Sequence, residues 1–525
     1  MFWADRLAKE IIGRYQPSGA KPIVIRDEKT VSGRIHVGAM RGVLIHGTIS
    51  EALAEQGISN VFMYELNDFD AFDTVPVYLD AEKFTPYLGK PLFAVPSPDA
   101  GTKSYADYFG QEFADVIKKT GYVPQFHSSI SAYRSGKYND IIKKALENVG
   151  SIRTIYEEVS GGTRAEEWLP IMMICEQCGK IATTRAVSFD GNIVHYMCDQ
   201  EASGAKGCGF EGAGSPFDGK AKLPWKVEWA AKFSVFDVAV EGEGKDLSTK
   251  GGARDVANHI SRQVFKREPP FDVPYEHFLI GGKKMSTSKG RGSSAREIAN
   301  LMPPKIFRLA LLSKEITQAF NFDPEGDTIP MLYDQYDKLA EGYQTIQDDD
   351  YARLFEFVHP GRALPPAGTF FPRFSQVAFL VQMPHLNLER EVATLKGGEL
   401  TSADKQELAE RATYAKKWLA EYAPEKFVFT LQETLPEAAK NLSELQKKAL
   451  SELQNYLKTS EKMPSGEEIQ QKLHQIKETL AIQPQDLFGA LYLSFLGKSY
   501  GPKIGWFLSV LDKEFVVKRL QEAIA

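Results

Sequence analysis

Two short stretches of the chain carry residues suited to holding phosphate groups. The first is "SGRIHVGAMR", Ser32 to Arg41. It follows a short β-branched run and precedes a segment with helical apolar spacing. A strand that turns into a helix N-terminus offers free backbone N–H groups and the positive end of a dipole. Gly33 and Gly38 let a ligand approach the backbone. His36 at the helix entry can hydrogen-bond a phosphate, and Arg41 falls near the same helix end. The same letters also fit a tight strand-to-helix turn with a capping histidine. The second stretch is "GGKKMSTSKGRG", Gly281 to Gly292. Lys284 and Lys289 supply charge, Ser286, Thr287 and Ser288 supply hydroxyl donors, and the glycines supply freedom of motion. Such a loop could cover phosphates as charge builds on them. It also reads as an exposed lysine-rich loop.

A third group is metal-ligating in type. The chain has four cysteines, Cys175, Cys178, Cys198 and Cys208. The first two stand three apart on a turn closed by Gly179, as in half of a tetrahedral Zn²⁺ site. The second pair is ten apart, on a loop with three glycines, "CDQEASGAKGCGF". Four thiolates leave no open coordination position, so such a site would be structural. Four unlinked thiols, with His195 as a substitute ligand, are the alternative. Clustered cysteines in a long chain favour metal over a disulfide framework.

These groups need elements to position them. Ile23 to Ile25 reads as a buried strand, the segment ending at Gly57 as a helix, and Val61 to Leu66 as a second strand. Strand, turn, helix and strand make a βαβ unit and a parallel sheet. "YVPQFHSSIS" reads as a further strand, "KVEWAAKFSVFDVAVEGEGKD" as strand and turn, and "EHFLI" as a short apolar strand before the lysine-rich loop. From about Ala295 glycines thin out and apolar residues recur three and four apart, so the remainder should be mostly helical. Its lysines, such as Lys440, Lys447, Lys448 and Lys458, read as solvated helix faces. The aromatics of "LFGALYLSFLG" and "GWFLSVL" are spaced for a core. The expected division is 1–168 and 218–294 for two halves of a Rossmann-type α/β domain, 169–217 for an inserted zinc-binding module, and 295–525 for helices.

With 525 residues, several domains are expected. Apolar residues at 43%, charged residues at 25% and a net charge of −6 fit a soluble globular protein without an overall basic field. No apolar run is long enough to span a membrane. The N-terminal "MFWADRLAKEIIGRY" reads as an amphipathic helix and not as a signal peptide, so a cytoplasmic location is expected.

The two phosphate-type stretches, in this order and about 250 residues apart, resemble the HIGH and KMSKS motifs of class I aminoacyl-tRNA synthetases. Ala39 stands at the last position of the first, and Thr287 at the fourth of the second. "TVSGRIHVG" is similar to the TPSG-x-x-H-[IV]-G segment of class I lysyl-tRNA synthetases. "ELNDFDAFDTVP", "SISAYRSGKY", "WKVEWAAKFSVFDVAVEGEGKD" and "LYLSFLGKSYGPKIGWFLSVL" resemble further blocks of that family in order. The resemblance implies ligation of lysine to tRNA(Lys) through an adenylate, with ATP and Mg²⁺, and a monomer with an α-helical anticodon-binding region. It implies His36, Gly38, Lys284 and Lys289 as catalytic, and Ser32, Gly244, Asp246, Met285, Ser286 and Ser288 beside them at ATP. The amino-acid pocket would draw on Glu28, Thr30, Asp68, Trp225 and Glu228, a carboxylate being needed because a buried ammonium without a partner is costly. Asp70 reads as a helix cap. Two positions depart from the family pattern, with Leu247 where it has histidine and Glu28 where it has a small residue. A class I synthetase for another amino acid such as glutamate, or a synthetase-like tRNA-binding protein without ligase activity, are the competing readings.

Overall fold

The computed structural model describes residues 1–525 except 18, 20, 203, 282–293, 346–348 and 384–385. The chain forms two compact units, one of Met1–Phe322 with Thr345–Leu364, the other of Asp323–Gln344 with Pro365–Ala525.

The first unit is built on a five-stranded sheet in the order Phe271–Asp272, Val238–Glu241, Ile23–Thr30, Asn60–Asn67 and Gln125–Ser128. All its pairings are parallel. Ile23 and Ile25 are buried, as their β-branched run requires. From the first strand the chain steps to Asn60–Asn67 on one side, and it returns much later with Val238–Glu241 on the other. That reversal opens a crevice at the carboxyl ends of the two strands, the usual ligand position in such sheets.

The helix Met40–Glu55 covers the sheet next to this crevice and is buried along its first ten residues. The N-terminal helix Trp3–Tyr15 packs on it through Trp3, Ala4, Leu7, Ala8 and Ile11, the spacing of an amphipathic stripe. Arg41 does not reach the ligand end of the helix. It is 1% exposed and donates to the carbonyls of Leu311 and Glu315.

Trp225–Val235 is a helix and not strand and turn. Pro224 sits at its N-cap, Glu228 lies in its first turn, and Val227, Ala230, Ala231 and Phe233 are buried. The strand begins only at Val238. Phe278–Ile280 stands outside the main sheet and pairs in parallel with Phe320–Phe322. This pairing draws 295–322 into the first unit. Composition changes at 295, but packing changes at 322.

The second unit is helical. Ser402–Glu421, Glu444–Thr459 and Gly466–Leu480 each begin with a capping box, formed by Thr401 with Asp404, Ser443 with Gln446 and Ser465 with Glu468. Leu453, Leu473, Phe495 and Phe507 are fully buried, so most of the C-terminal aromatic segment is core. No helix among the described residues is long and apolar enough to cross a membrane.

One side chain holds the centre of the sheet. Arg26 is fully buried on the first strand. It donates to Glu241 and Glu65 at 2.5 Å each, on the strands to either side, and to Glu28 on its own strand. Losing one member of a buried ionic cluster leaves the rest unpaired in low dielectric. Arg26→Met should therefore lower stability by about 3–5 kcal/mol, read as a lower urea midpoint. A midpoint equal to the parent's would show that the carboxylates tolerate its loss.

Candidate active site

A cavity of about 280 Å³ lies at the carboxyl ends of the first strand and of Val238–Glu241. The turn before the helix forms one wall. Gly33 has φ +148°, and a Cβ there would sit 2.6 Å from the Tyr78 hydroxyl. That hydroxyl accepts from the Arg34 N–H at 2.6 Å, and the Tyr105 hydroxyl donates to the Ser32 carbonyl at 3.0 Å. The turn is thus pinned by two tyrosines, and Ser32 serves it through its backbone. His36 enters in extended conformation, a 3-10 turn Val37–Ala39 follows, and His36, Gly38 and Ala39 line the cavity. Gly244 lines the opposite side. Asp246 lies 3.4 Å from His277 Nε2 and outside the lining. Lys284, Met285, Ser286, Thr287, Ser288 and Lys289 lie outside the described residues.

Of the pocket residues expected from sequence, Glu28, Thr30 and Trp225 line the cavity, as does Leu247, while Asp68 and Glu228 do not. Asp68 accepts from the Ser128 hydroxyl at 2.6 Å and the Ile130 N–H at 2.9 Å. Burial raises its carboxyl above the ordinary range. Glu228 is fully buried, accepts from the Tyr133 hydroxyl at 2.8 Å and pairs with Lys222. Asp70 caps no helix. It takes the Thr30 hydroxyl at 2.6 Å and Lys222 at 3.0 Å.

Glu28 is held by Lys232 at 2.5 Å and by Arg26, both through Oε2. Lys232 also lies 3.1 Å from Glu65 and 3.4 Å from Glu228. Burial opposes the charge on Glu28 and Glu65, but Lys232 and Arg26 outweigh it and hold both carboxyls below their usual range. The chain's own lysines therefore already engage two of the expected acidic candidates, Glu28 and Glu228. Only Glu28 also faces the cavity, with its side chain 22% exposed.

Sequence reasoning missed Asp27, Lys29, Trp229, Glu241, Glu243, Tyr275 and His277, which also line the cavity. "VEGEG" after a strand was the available signal for the two glutamates, since small residues there free the side chains beside them to line a crevice. Burial pushes Glu243 up to about 8, despite Arg254 3.3 Å away. Trp225 and Trp229, one helical turn apart, stack at 5.9 Å, and Trp225 remains 47% exposed.

The four cysteines come together. Cys175 and Cys208 sulfurs are 3.7 Å apart, as are those of Cys178 and Cys198, and all four lie within 4.8 Å of one another. Tetrahedral Zn–S bonds of about 2.3 Å place sulfurs about 3.8 Å apart, so the donor set and spacing fit. The turn Cys175–Gly179 closes through the Gly179 N–H to the Cys175 carbonyl at 2.8 Å. At Gly207 a Cβ would lie 2.0 Å from the Cys198 carbonyl oxygen, so the loop between the second pair needs glycine there. Burial and the neighbouring sulfurs push the Cys178 thiol up to about 12. His195 is exposed and outside the cluster. The module is not a separate body, since Cys175, Val194, Tyr196 and Cys198 share one apolar core with Leu223, Trp229 and Phe233.

The second unit holds a groove of about 530 Å³. Arg373, Lys426 and Lys503 line it with Phe427, Tyr500 and Trp506, and among the described residues no carboxylate does. Arg373 and Lys426 pair with Asp334 and Asp327, both at 2.7 Å, while Lys503 is exposed.

Comparison with known proteins agrees with this geometry. The family described as tRNA synthetases class I (K) matches residues 1–360, and the anticodon binding domain matches 403–524. The chain is 32% identical over 542 residues to a lysine–tRNA ligase of Methanosarcina barkeri, covering 99% of this chain and 97% of that one. It is 30% identical over 544 residues to a lysine–tRNA ligase of Methanocaldococcus jannaschii, covering 99% of both. A glutamate tRNA ligase structure from Elizabethkingia meningosepticum aligns over 96% of this chain and 99% of its own at 15% identity, with a TM-score of 0.44. With the cavity at the sheet's carboxyl edge behind a histidine-bearing turn, and a family match over more than half its length, the chain belongs to the class I (K) tRNA synthetases.

Proposed function

We infer that the protein is a lysine–tRNA ligase. It activates lysine with ATP to lysyl-adenylate and passes the lysyl group to the 3′-terminal ribose of tRNA(Lys). The observation that carries this reading is the cavity, where His36, Gly38 and Gly244 converge at the switch point of a parallel sheet. The full-length likeness to lysine–tRNA ligases supports the choice of amino acid. The enzyme works as a cytoplasmic monomer.

On this reading ATP enters with Mg²⁺ as substrate, and the lysine carboxylate attacks the α-phosphorus. No protein nucleophile is needed. His36 and the helix entry at Gly38 hold phosphate oxygens, Gly244 and Asp246 flank the ribose, and Lys284 and Lys289 cover the departing pyrophosphate with Met285, Ser286 and Ser288. Glu28 receives the substrate's ammonium through Oε1, because its two cations occupy Oε2. The stacked Trp225 and Trp229 and the apolar Leu247 line the path of the aliphatic stem. The measurement is amino-acid-dependent ATP–pyrophosphate exchange. Lysine should support it, glutamate should not, and His36→Ala should lower kcat by about a hundredfold or more. Exchange with another amino acid alone would replace the lysine reading.

The segment 169–217 serves as an inserted module in which Cys175, Cys178, Cys198 and Cys208 hold Zn²⁺. Bound there, the ion supplies folding energy and no chemistry. The purified protein should carry one zinc per chain, and Cys178→Ser should lose it together with thermal stability. A full zinc content in Cys178→Ser would exclude the site.

The helical second unit binds the anticodon side of the tRNA, with the groove around Trp506 as its base-holding surface. Aromatic faces stack unpaired bases, and cations meet the phosphates between them. Lys503→Ala should weaken tRNA binding and flatten its log–log salt dependence by about one unit. An unchanged slope would move the contact elsewhere.

A further inference from the structure

Side chains of the first strand alternate between two faces. Arg26 and Glu28 share one face, where they meet Glu65 and Lys232. Thr30 follows on that face and meets Asp70. Asp27 and Lys29 occupy the other. Asp27 lies 3.4 Å from His46 Nδ1, so this second face looks toward the helix Met40–Glu55. Lys29 stands two residues further along, toward the turn that carries His36. The cavity thus has an amino-acid half and a phosphate half.

Charge in the cavity is unbalanced. Asp27, Glu28, Glu241 and Glu243 line it. Among the described residues Lys29 is its one lysine or arginine, with His36 and His277 as the other basic side chains. Burial lowers the Lys29 pKa from its ordinary value, and among the described residues Asp27 and Glu28 act on it only through space. Every cation behind the amino-acid half has a carboxylate partner: Arg26 and Lys232 pair with Glu28, Lys222 with Glu228, and Arg254 with Glu243. A half-buried ammonium without a partner costs stability. It becomes favourable when a polyanion arrives beside it.

We propose that Lys29 is a catalytic residue of the activation step, its ammonium contacting the α-phosphate of ATP. In that step a carboxylate oxygen of the amino acid bonds to the α-phosphorus. The bond from that phosphorus to the bridging oxygen of the β-phosphate breaks, and the electron pair leaves with pyrophosphate. No proton moves. Negative charge persists on the non-bridging α-oxygens throughout, and Lys29 approaches them from the face of the strand opposite Glu28. It also offsets the repulsion between the four carboxylates and the incoming triphosphate.

This role rests on adenylate formation and not on which amino acid is used. The test is pyrophosphate exchange on Lys29→Met and Lys29→Arg, with thermal unfolding of both. Lys29→Met should lower kcat about a hundredfold, leave KM for the amino acid within about threefold, and unfold no earlier than the parent, because no ion pair is broken. Lys29→Arg should recover part of kcat. A merely structural lysine would show the reverse, with lost stability and no rescue by charge. Lys29→Met with kcat within threefold of the parent overturns the proposal and leaves the ligase reading standing. Should Lys29→Met not fold, Lys29→Arg is compared with Lys29→Gln, and equal activity in the two overturns it. A parent that exchanges with no amino acid overturns both.

Discussion

The site depends on a cluster of charges that the fold buries before any substrate arrives. Arg26 joins three neighbouring strands through Glu28, Glu65 and Glu241. Lys232, from the helix Trp225–Val235, enters the same cluster between Glu28, Glu65 and Glu228. Desolvating so many charges is costly, and each is tolerable only because the others are in place. The cluster fixes the register of the strands and the seating of the helix together, so the amino-acid half of the cavity is set by electrostatics as much as by packing.

The phosphate half is built on different physics. Its frame is backbone: a glycine in a conformation closed to other residues, two tyrosine hydroxyls on the flanking peptide groups, and a helix entry beyond His36. His46, inside the helix, accepts the Gly242 N–H at 2.8 Å and lies 2.8 Å by its other nitrogen from the Gly42 carbonyl. It thereby ties the helix to the segment after Glu241, where the two halves of the cavity meet.

Much of this was legible in the sequence. The strand–turn–helix around His36 could be read because glycine spacing and β-branched runs are local signals, and the cysteines because their spacing carries ligand chemistry. The helix at Trp225 was misread because alternating Val227 and Trp229 satisfy a strand's period as well as a helix's, and Pro224 decides between them. Arg41 falls near the helix end in sequence but turns to the carbonyls of Leu311 and Glu315, since nothing local tells which carbonyls a buried guanidinium will find. Asp68 and Glu228 stood in sequence as candidates for the amino-acid pocket. Their partners, Ser128 and Lys222, come from other elements, so only the folded chain reveals that they are engaged. Lys29 stayed invisible for the complementary reason: its distinction is to lack an ion-pair partner among the described residues.

The apolar continuity between the cysteine segment and the sheet's flanking helices bears on how this chain can be engineered. Insertions in α/β enzymes are often treated as cassettes to be trimmed, exchanged or grafted. Here Val194 and Tyr196 belong to the same core as Leu223, Trp229 and Phe233. Excising the segment would remove part of the apolar core to which the Trp225–Val235 helix also belongs, and that helix delivers Lys232 to Glu28. A minimal catalytic fragment therefore has to retain residues 169–217, and transplantation into a relative would have to carry the helix along with it.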